Sequence, residues 1–343
     1  MTLQELCGTR LPVIQAPMAG SQGSDLAIAV SNAGGLGSLP CAMLTLDGLQ
    51  AELQAIRAGT GQPCNVNFFC HTLPAADAQR DAAWRELLVP YFREHGIDPR
   101  EGSSGVARVP FSGAAADVLE RFKPAVVSFH FGLPSPALVA RVKKWGSKVL
   151  ASATTVEEAV WLEQRGVDAV IAQGAEAGGH RGIFLSQDLT TQVGTFALLP
   201  QVVKSVRVPV IAAGGIADAS SVAAAMALGA AGVQVGTAYL LCREAKTSAV
   251  HRAALKGAHA SHTAITNLFS GRPARGIMNR LMAELGPLND AAPAFPLAAD
   301  ALAPLRKKAE SVGSGDFSPL WAGQNTSGCK EISAAELTHA LIR

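Results

Sequence analysis

The chain has 343 residues, enough for two or three ordinary domains or one large barrel with an insertion, and too many for a small disulfide-stapled scaffold. Hydrophobic residues make up 48% and charged residues 16%, which supplies a large core. With 29 basic against 27 acidic side chains there is no bulk positive charge to hold a nucleic acid, and the longest apolar runs are short and interrupted by glycine, so none spans a membrane.

The N-terminus has no apolar core of a secretory signal, and a cytoplasmic protein is expected. Cys7, Cys41, Cys64, Cys70, Cys242 and Cys329 form no CxxC pair and no zinc-type spacing with histidine, so reduced thiols and no metal site are expected. The 34 glycines and only 5% aromatics suit tight turns between repeated βα units, and an enzyme is the leading class.

Eight short runs rich in small and β-branched residues end in Gly, Pro or a polar residue: 13–18, 37–40, 66–69, 125–131, 148–153, 169–173, 208–213 and 232–236. Without clean alternation they read as parallel strands buried on both faces. Between the fifth and sixth, Thr155 and Glu158 form a capping-box pattern, Val156, Val160 and Leu162 supply an apolar face, and Gly166 closes the helix. After the seventh, Asp218 caps a helix through Val222, Ala225 and Leu228 that stops at Gly229. This rhythm favours a (β/α)8 TIM barrel, although an open doubly wound sheet has the same local pattern.

Two stretches break the rhythm. Residues 70–124 are too long for a strand-to-helix loop and read as an insertion after strand three, with a charged helical piece at 78–95 and a Gly/Ser turn at 102–105. Residues 251–314, rich in Ala and Pro, read as a mainly helical cap over the barrel mouth. The expected organisation is a barrel over 1–250, the cap over 251–314 and a return to the barrel over 315–343.

The chemistry is concentrated at strand ends. VPVIAAGGIAD at 208–218 and GVQVGTA at 232–238 each end a buried strand in glycine where a helix begins, which frees backbone N–H groups for a phosphate; tight turning alone is the alternative. AQGAEAGGHRG at 172–182 lets backbone approach a flat ligand beside the amide of Gln173, or is a surface loop in which Glu176 caps a helix. His180 and Arg181 are open between ligand contact and loop tether. His130, in SFHFGLP at 128–134, is either a hydrogen-bonded core group or, from its place near a strand end, a group that moves protons or pairs with an anion. QAPM at 15–18 suits packing under a flat ring or within a barrel, and Asn67 needs a polar partner in a ligand or a neighbouring loop.

As a set, QAPMAG, SNAGGLGSL, SFHFGLP, AQGAEAGGHRG, IAAGGIAD and GVQVGTAYL, in this order from Leu11 to about Leu240, with LWAGQ at 320–324, resemble the nitronate monooxygenase family, formerly called 2-nitropropane dioxygenases. SFHFGLP and the insertion resemble its class I branch. The resemblance implies an FMN-dependent barrel with the ring over Ala16, Pro17 and Met18, and with Asn67 and Gln173 as polar contacts. It implies that Gly178, Gly215, Gln234, Val235, Gly236 and Thr237 hold the ribityl phosphate, with Gly179 and Gly214 among the cofactor contacts. His130 matches the family's catalytic histidine. The implied reaction converts an alkyl nitronate, or a nitroalkane, with O2 to a carbonyl compound and nitrite. SQGS at 21–24 departs from the Gly/Thr/Pro-rich loop of many relatives. The competing readings are an NAD(P)H-dependent FMN reductase acting on a quinone or enoyl thioester, and a flavin-binding sensor without turnover. A barrel resembling inosine monophosphate dehydrogenase lacks its loop cysteine here.

Overall fold

The computed structural model describes residues 1–75, 77–100 and 108–343. Its strands in chain order are β1 (Val13–Gln15), β2 (Gly37–Pro40), β3 (Cys64–Phe69), β4 (Val126–His130), β5 (Lys148–Ala153), β6 (Ala169–Gln173), β7 (Gly179–His180), β8 (Val210–Ala213), β9 (Gly232–Val235), β10 (Thr263–Thr266) and β11 (Ala274–Ile277). Eight lie side by side in the order β1-β9-β8-β6-β5-β4-β3-β2, with every neighbouring pair parallel. The ring closes where Leu36 N–H donates to Val13 O at 2.8 Å and Gln15 N–H donates to Leu36 O at 2.9 Å. Each of the eight expected runs is one of these strands, and the architecture is the (β/α)8 barrel.

The period of two along a strand decides what faces the barrel axis. On β4, Val126 packs inside with Ile14, Leu150, Ile171 and Ile211, whereas Val127 and Phe129 pack outward beneath the helices. Ser128 and His130 therefore point inward, and His130 ends the strand at the mouth. The same alternation turns Asn67, Ser152, Gln173 and Gln234 inward, because Val66, Ala151, Ala172 and Val233 belong to the outer core. The opposite end is plugged by the helix Leu3–Cys7, whose Leu3 N–H donates to Ala231 O at 3.0 Å. This plug is absent from the expected elements, although Thr2 and Glu5 form a capping box there.

The two stretches that break the rhythm share a second core. The helix Ala78–Glu94, expected at 78–95, buries Trp84, Leu88 and Phe92 with Leu302 and Leu305 of the helix Ala298–Ser311. The turn expected at 102–105 lies outside the described residues. The cap is mainly helical, through Ala249–Lys256, Arg280–Leu285 and Ala298–Ser311. It also carries an unforeseen antiparallel sheet in which β10 pairs with β11 and β11 with β7. Its strands are two to four residues long, too short for a readable period, and β7 comes from the loop after β6. The final segment returns through Trp321, bridged to Gly276, and ends in the helix Ala334–Ala340 packed on the helix Ser24–Ala33. Among the described residues no helix is long and apolar enough to cross a membrane, and no cluster of His, Cys, Asp and Glu could hold a metal ion.

Candidate active site

A cleft opens at the C-terminal ends of the barrel strands, where βα loops build the sites of such barrels. Ala16, Pro17 and Met18 form one wall of it. Their position is fixed by Gln22, whose Oε1 accepts the Met18 N–H at 3.0 Å and Gln15 Nε2 at 2.6 Å, while its Nε2 donates to Ser38 O. Gln22 belongs to the 21–24 loop, and its role was invisible in sequence because the contact that defines it is with strands β1 and β2.

The glycine loops after β6, β8 and β9 converge on the opposite side. The N–H groups of Gly215, Gly236 and Thr237 have no hydrogen-bond partner among the described residues. Gln234 Oε1 is buried there, also without one. Gly178 is required by close approach: a Cβ would lie 2.5 Å from Gly323 N and 2.6 Å from Ala322 C. Gly214 has φ 116°, a conformation side chains resist, and its Cβ would meet Thr195 Oγ1 at 2.8 Å. The C-terminal segment straps this cradle: Gly323 N–H donates to Thr237 Oγ1 at 2.9 Å and Asn325 Nδ2 to Gly215 O at 3.0 Å. Glu176 does cap a helix, accepting the Thr195 N–H at 2.8 Å and its hydroxyl at 2.8 Å.

Of the expected site residues, all but one line this cleft. The exception is Val235, which is 1% exposed and packs in the outer core, because the strand period that turns Gln234 inward turns Val235 outward. A side chain at Gly236 would crowd Ala16 Cβ at 3.3 Å and reach ordinary contact with Met18 Sδ at 3.8 Å, so its first atom would meet the wall. Asn67 Nδ2 donates to Ser128 Oγ at 2.9 Å. Gln173 is largely committed to its own loop, with Nε2 donating to His180 O at 3.0 Å and Oε1 accepting Gly182 N–H at 2.7 Å.

Two histidines face the cleft, and they differ in what their nitrogens do. His130 Nε2 lies 3.2 Å from His180 O, and Nδ1 lies 3.0 Å from Ser152 Oγ. A carbonyl only accepts, so Nε2 carries the proton and Nδ1 accepts from Ser152: both nitrogens are engaged. Burial pushes the His130 pKa down to about 3, against the contact with His180 O and with help from Arg272 and Arg181, so the ring is neutral. His180 Nε2 lies 2.9 Å from Ser270 Oγ, whose hydroxyl donates to Arg272 O at 3.3 Å. That makes Nε2 the donor and leaves Nδ1 a bare lone pair with no partner among the described residues. Burial first, then Arg108, His130, Arg272 and His71, hold the His180 pKa well below its ordinary value. Phe69, Phe295 and Trp321 surround its ring at centroid distances of 6.0, 5.3 and 5.5 Å.

Arg181 resolves as a tether. It is fully buried and donates to Gln173 O at 2.8 Å, Gly174 O at 2.7 Å and Gln192 Oε1 at 3.0 Å.

A family model described as nitronate monooxygenase matches residues 1–343. The chain belongs to the nitronate monooxygenase family. The nitronate monooxygenase of Paraburkholderia phytofirmans is 44% identical to it over 345 residues, which cover 99% of this chain and 94% of that protein. The nitronate monooxygenase of Pseudomonas aeruginosa is 42% identical over 340 residues, covering 98% and 97%. Among solved structures, a nitroalkane oxidase from Streptomyces ansochromogenes superposes with a TM-score of 0.89 at 38% identity, covering 99% and 96% of the two chains. FabK from Thermotoga maritima superposes with a TM-score of 0.74 at 27% identity, covering 99% and 94%.

Nitronate monooxygenases are flavin-dependent oxidoreductases. The residues present fit such a group: unpartnered N–H groups and strap contacts suit a phosphate, and the orphaned Gln234 Oε1 and the small-residue wall suit a polar-edged flat ring. Gly178→Ala should therefore displace the Ala322–Gly323 strap and lower flavin affinity at least about tenfold, since backbone cannot yield as a side-chain tip can. Fluorescence titration of the apoprotein with flavin measures this; unchanged affinity would remove the strap from the cradle.

Proposed function

We propose that this nitronate monooxygenase family member binds FMN and converts alkyl nitronates, and nitroalkanes after deprotonation, to a carbonyl compound and nitrite with O2. The observation that carries the reading is that His180, whose Nδ1 has no partner among the described residues, lines the same cleft as the glycine loops, together with Arg108. A single mononucleotide phosphate matches the two consecutive glycine loops, and no second phosphate-binding loop of the dinucleotide type precedes a helix early in the chain. The flavin, when bound, accepts electrons from the substrate and returns them to oxygen.

The protein's own contributions follow from its contacts. His180, neutral and with its tautomer set by Ser270, accepts the α-proton of a neutral nitroalkane at Nδ1. His130 donates to the His180 carbonyl and so holds the loop that carries this base. Gln173 ties the same loop from the other side, through His180 O and Gly182 N. Arg108 and Arg272 add positive charge around these neutral imidazoles, which favours an anionic substrate. Phe69, Phe295 and Trp321 exclude water from the reacting end.

The test is direct. The protein should purify yellow, release FMN on heating, and consume oxygen and form nitrite with an alkyl nitronate, with no flavin bleaching on anaerobic mixing with NAD(P)H. Rapid bleaching by NAD(P)H without nitrite release would replace the reading with the reductase.

A further inference from the structure

Arg181 does more than hold a loop. It has 0% exposure, and its partners are two main-chain carbonyls and one amide oxygen, with no carboxylate of the described residues in contact. An unpaired charge in that position is costly, and a neutral side chain could tether a loop without it. The carbonyl it holds belongs to Gln173, whose side chain lines the cleft, so the charge sits one residue behind the wall.

The neighbouring charges leave it uncompensated. Three guanidiniums, Arg181, Arg272 and Arg275, share this side of the mouth with two carboxylates, Glu158 and Glu176. Both carboxylates are occupied: Glu158 accepts the N–H groups of Thr154, Phe184 and Leu185, and Glu176 caps Thr195. Arg272 lies over the Phe131 ring at 3.9 Å, and Arg275 donates to Ala175 O at 2.9 Å. His130 and His180 add nothing, being neutral. These five groups carry one net positive charge, and Arg108, which lines the same cleft, adds a further guanidinium at its wall.

We propose that Arg181 is an electrostatic tuning residue whose fixed positive charge stabilises negative charge on the reduced flavin and so raises the cofactor's reduction potential. This rests on the flavin reading above. In the balanced step, oxidised flavin takes two electrons from a reductant and one proton at N5, leaving a negative charge shared by N1 and the C2 carbonyl. A nearby cation favours that product over the neutral starting ring.

The experiment compares Arg181→Lys with Arg181→Met in the flavin-loaded protein, titrated anaerobically with dithionite against a reference dye. Both variants lose the planar fork, and only the first keeps the charge. The Met variant should be harder to reduce than the Lys variant by about tenfold in the reduced-to-oxidised ratio at a fixed poise, which is about 30 mV for a two-electron couple. Equal potentials in the two variants overturn the proposal. If neither variant retains flavin, the wild-type protein decides: uptake of one proton per two electrons should persist to a pH clearly below that at which free FMN, measured alongside, takes two. Two-proton uptake over the same range as free FMN overturns the proposal. Wild-type protein that purifies without flavin sinks the cofactor reading itself, whereas equal potentials with normal nitronate oxidation sink only the role of Arg181.

Discussion

His180→Gln should purify with its flavin and lose turnover of neutral nitroalkanes by about 10² to 10⁴-fold, the usual worth of a positioned general base. Preformed nitronates should lose far less, because their α-proton is already gone and only positioning remains. The reason lies in the unequal occupation of the two imidazoles. His130 has Ser152 on one nitrogen and the His180 carbonyl on the other, whereas His180 has Ser270 on Nε2 and an open Nδ1. His130→Asn supplies the contrast: it should lower turnover of both substrate types together, because the loop it anchors carries the base. Nitrite release and oxygen uptake with a matched nitroalkane and nitronate, at measured flavin content, check both variants. A loss confined to nitroalkanes in the His130 variant, with the His180 variant unaffected, would make His130 the base after release from Ser152.

The barrel was legible because its information is local. Most strands are short β-branched runs closed by glycine or a polar residue, and several of the following helices begin at a capping residue such as Thr155 or Asp218. The glycine turns at the mouth were legible for the same reason, since Gly215 and Gly236 follow strand ends with N–H groups that have no partner among the described residues. Val235 shows the limit. Motif membership placed it in the site, and the period of two placed it in the outer core. The insertion and cap were readable as interruptions, yet their joint core was not, because Trp84 and Leu305 meet across more than two hundred residues.

Histidine assignment is open in sequence for a comparable reason. SFHFGLP draws attention to His130 by its apolar setting, but the choice between His130 and His180 turns on which nitrogen of each ring is free. That depends on Ser152, from the neighbouring strand β5, and on Ser270, 90 residues from His180. Gln22 was likewise visible only as a departure from the usual loop composition. Its contact with Met18 N needs the barrel to exist first.

Thermal stability should fall as the pH drops from 7 to 5, a range in which carboxylate interactions are still intact. Four buried imidazoles cause it, His180 among them, its pKa held well below the ordinary value first of all by burial. Burial, with Arg272 the next contributor, lowers the His71 pKa to about 4, burial lowers that of His130 to about 3, and burial lowers that of His251 to about 4. Trp321 main chain and Glu310 oppose the shift at His251, and Arg306 adds to it. In the unfolded chain these groups titrate near pH 6.5, so below that pH the unfolded state binds protons that the folded state refuses. The stabilisation is complete above pH 6.5 and is lost progressively as the pH falls toward 4 and then 3. A fully excluded imidazole contributes a slope of about 1.4 kcal/mol per pH unit, and residual solvent access makes that an upper bound. The melting temperature should drop on the order of 5 °C between pH 7 and pH 5. Paired carboxylates such as Glu94, Glu284 and Glu336 have pKa values lowered by their partners, so their contribution is lost only further into acid, below the ordinary carboxylate range. His251 separates the cause, since its Nε2 has no partner among the described residues and it does not line the cleft. His251→Gln should flatten the pH dependence of melting while leaving nitronate turnover unchanged at pH 7. Melting curves at half-unit steps, with flavin content followed in parallel, provide the check. An unchanged slope in the variant, or a melting temperature constant from pH 7 to 5, would mean that these rings are protonated in the folded protein after all.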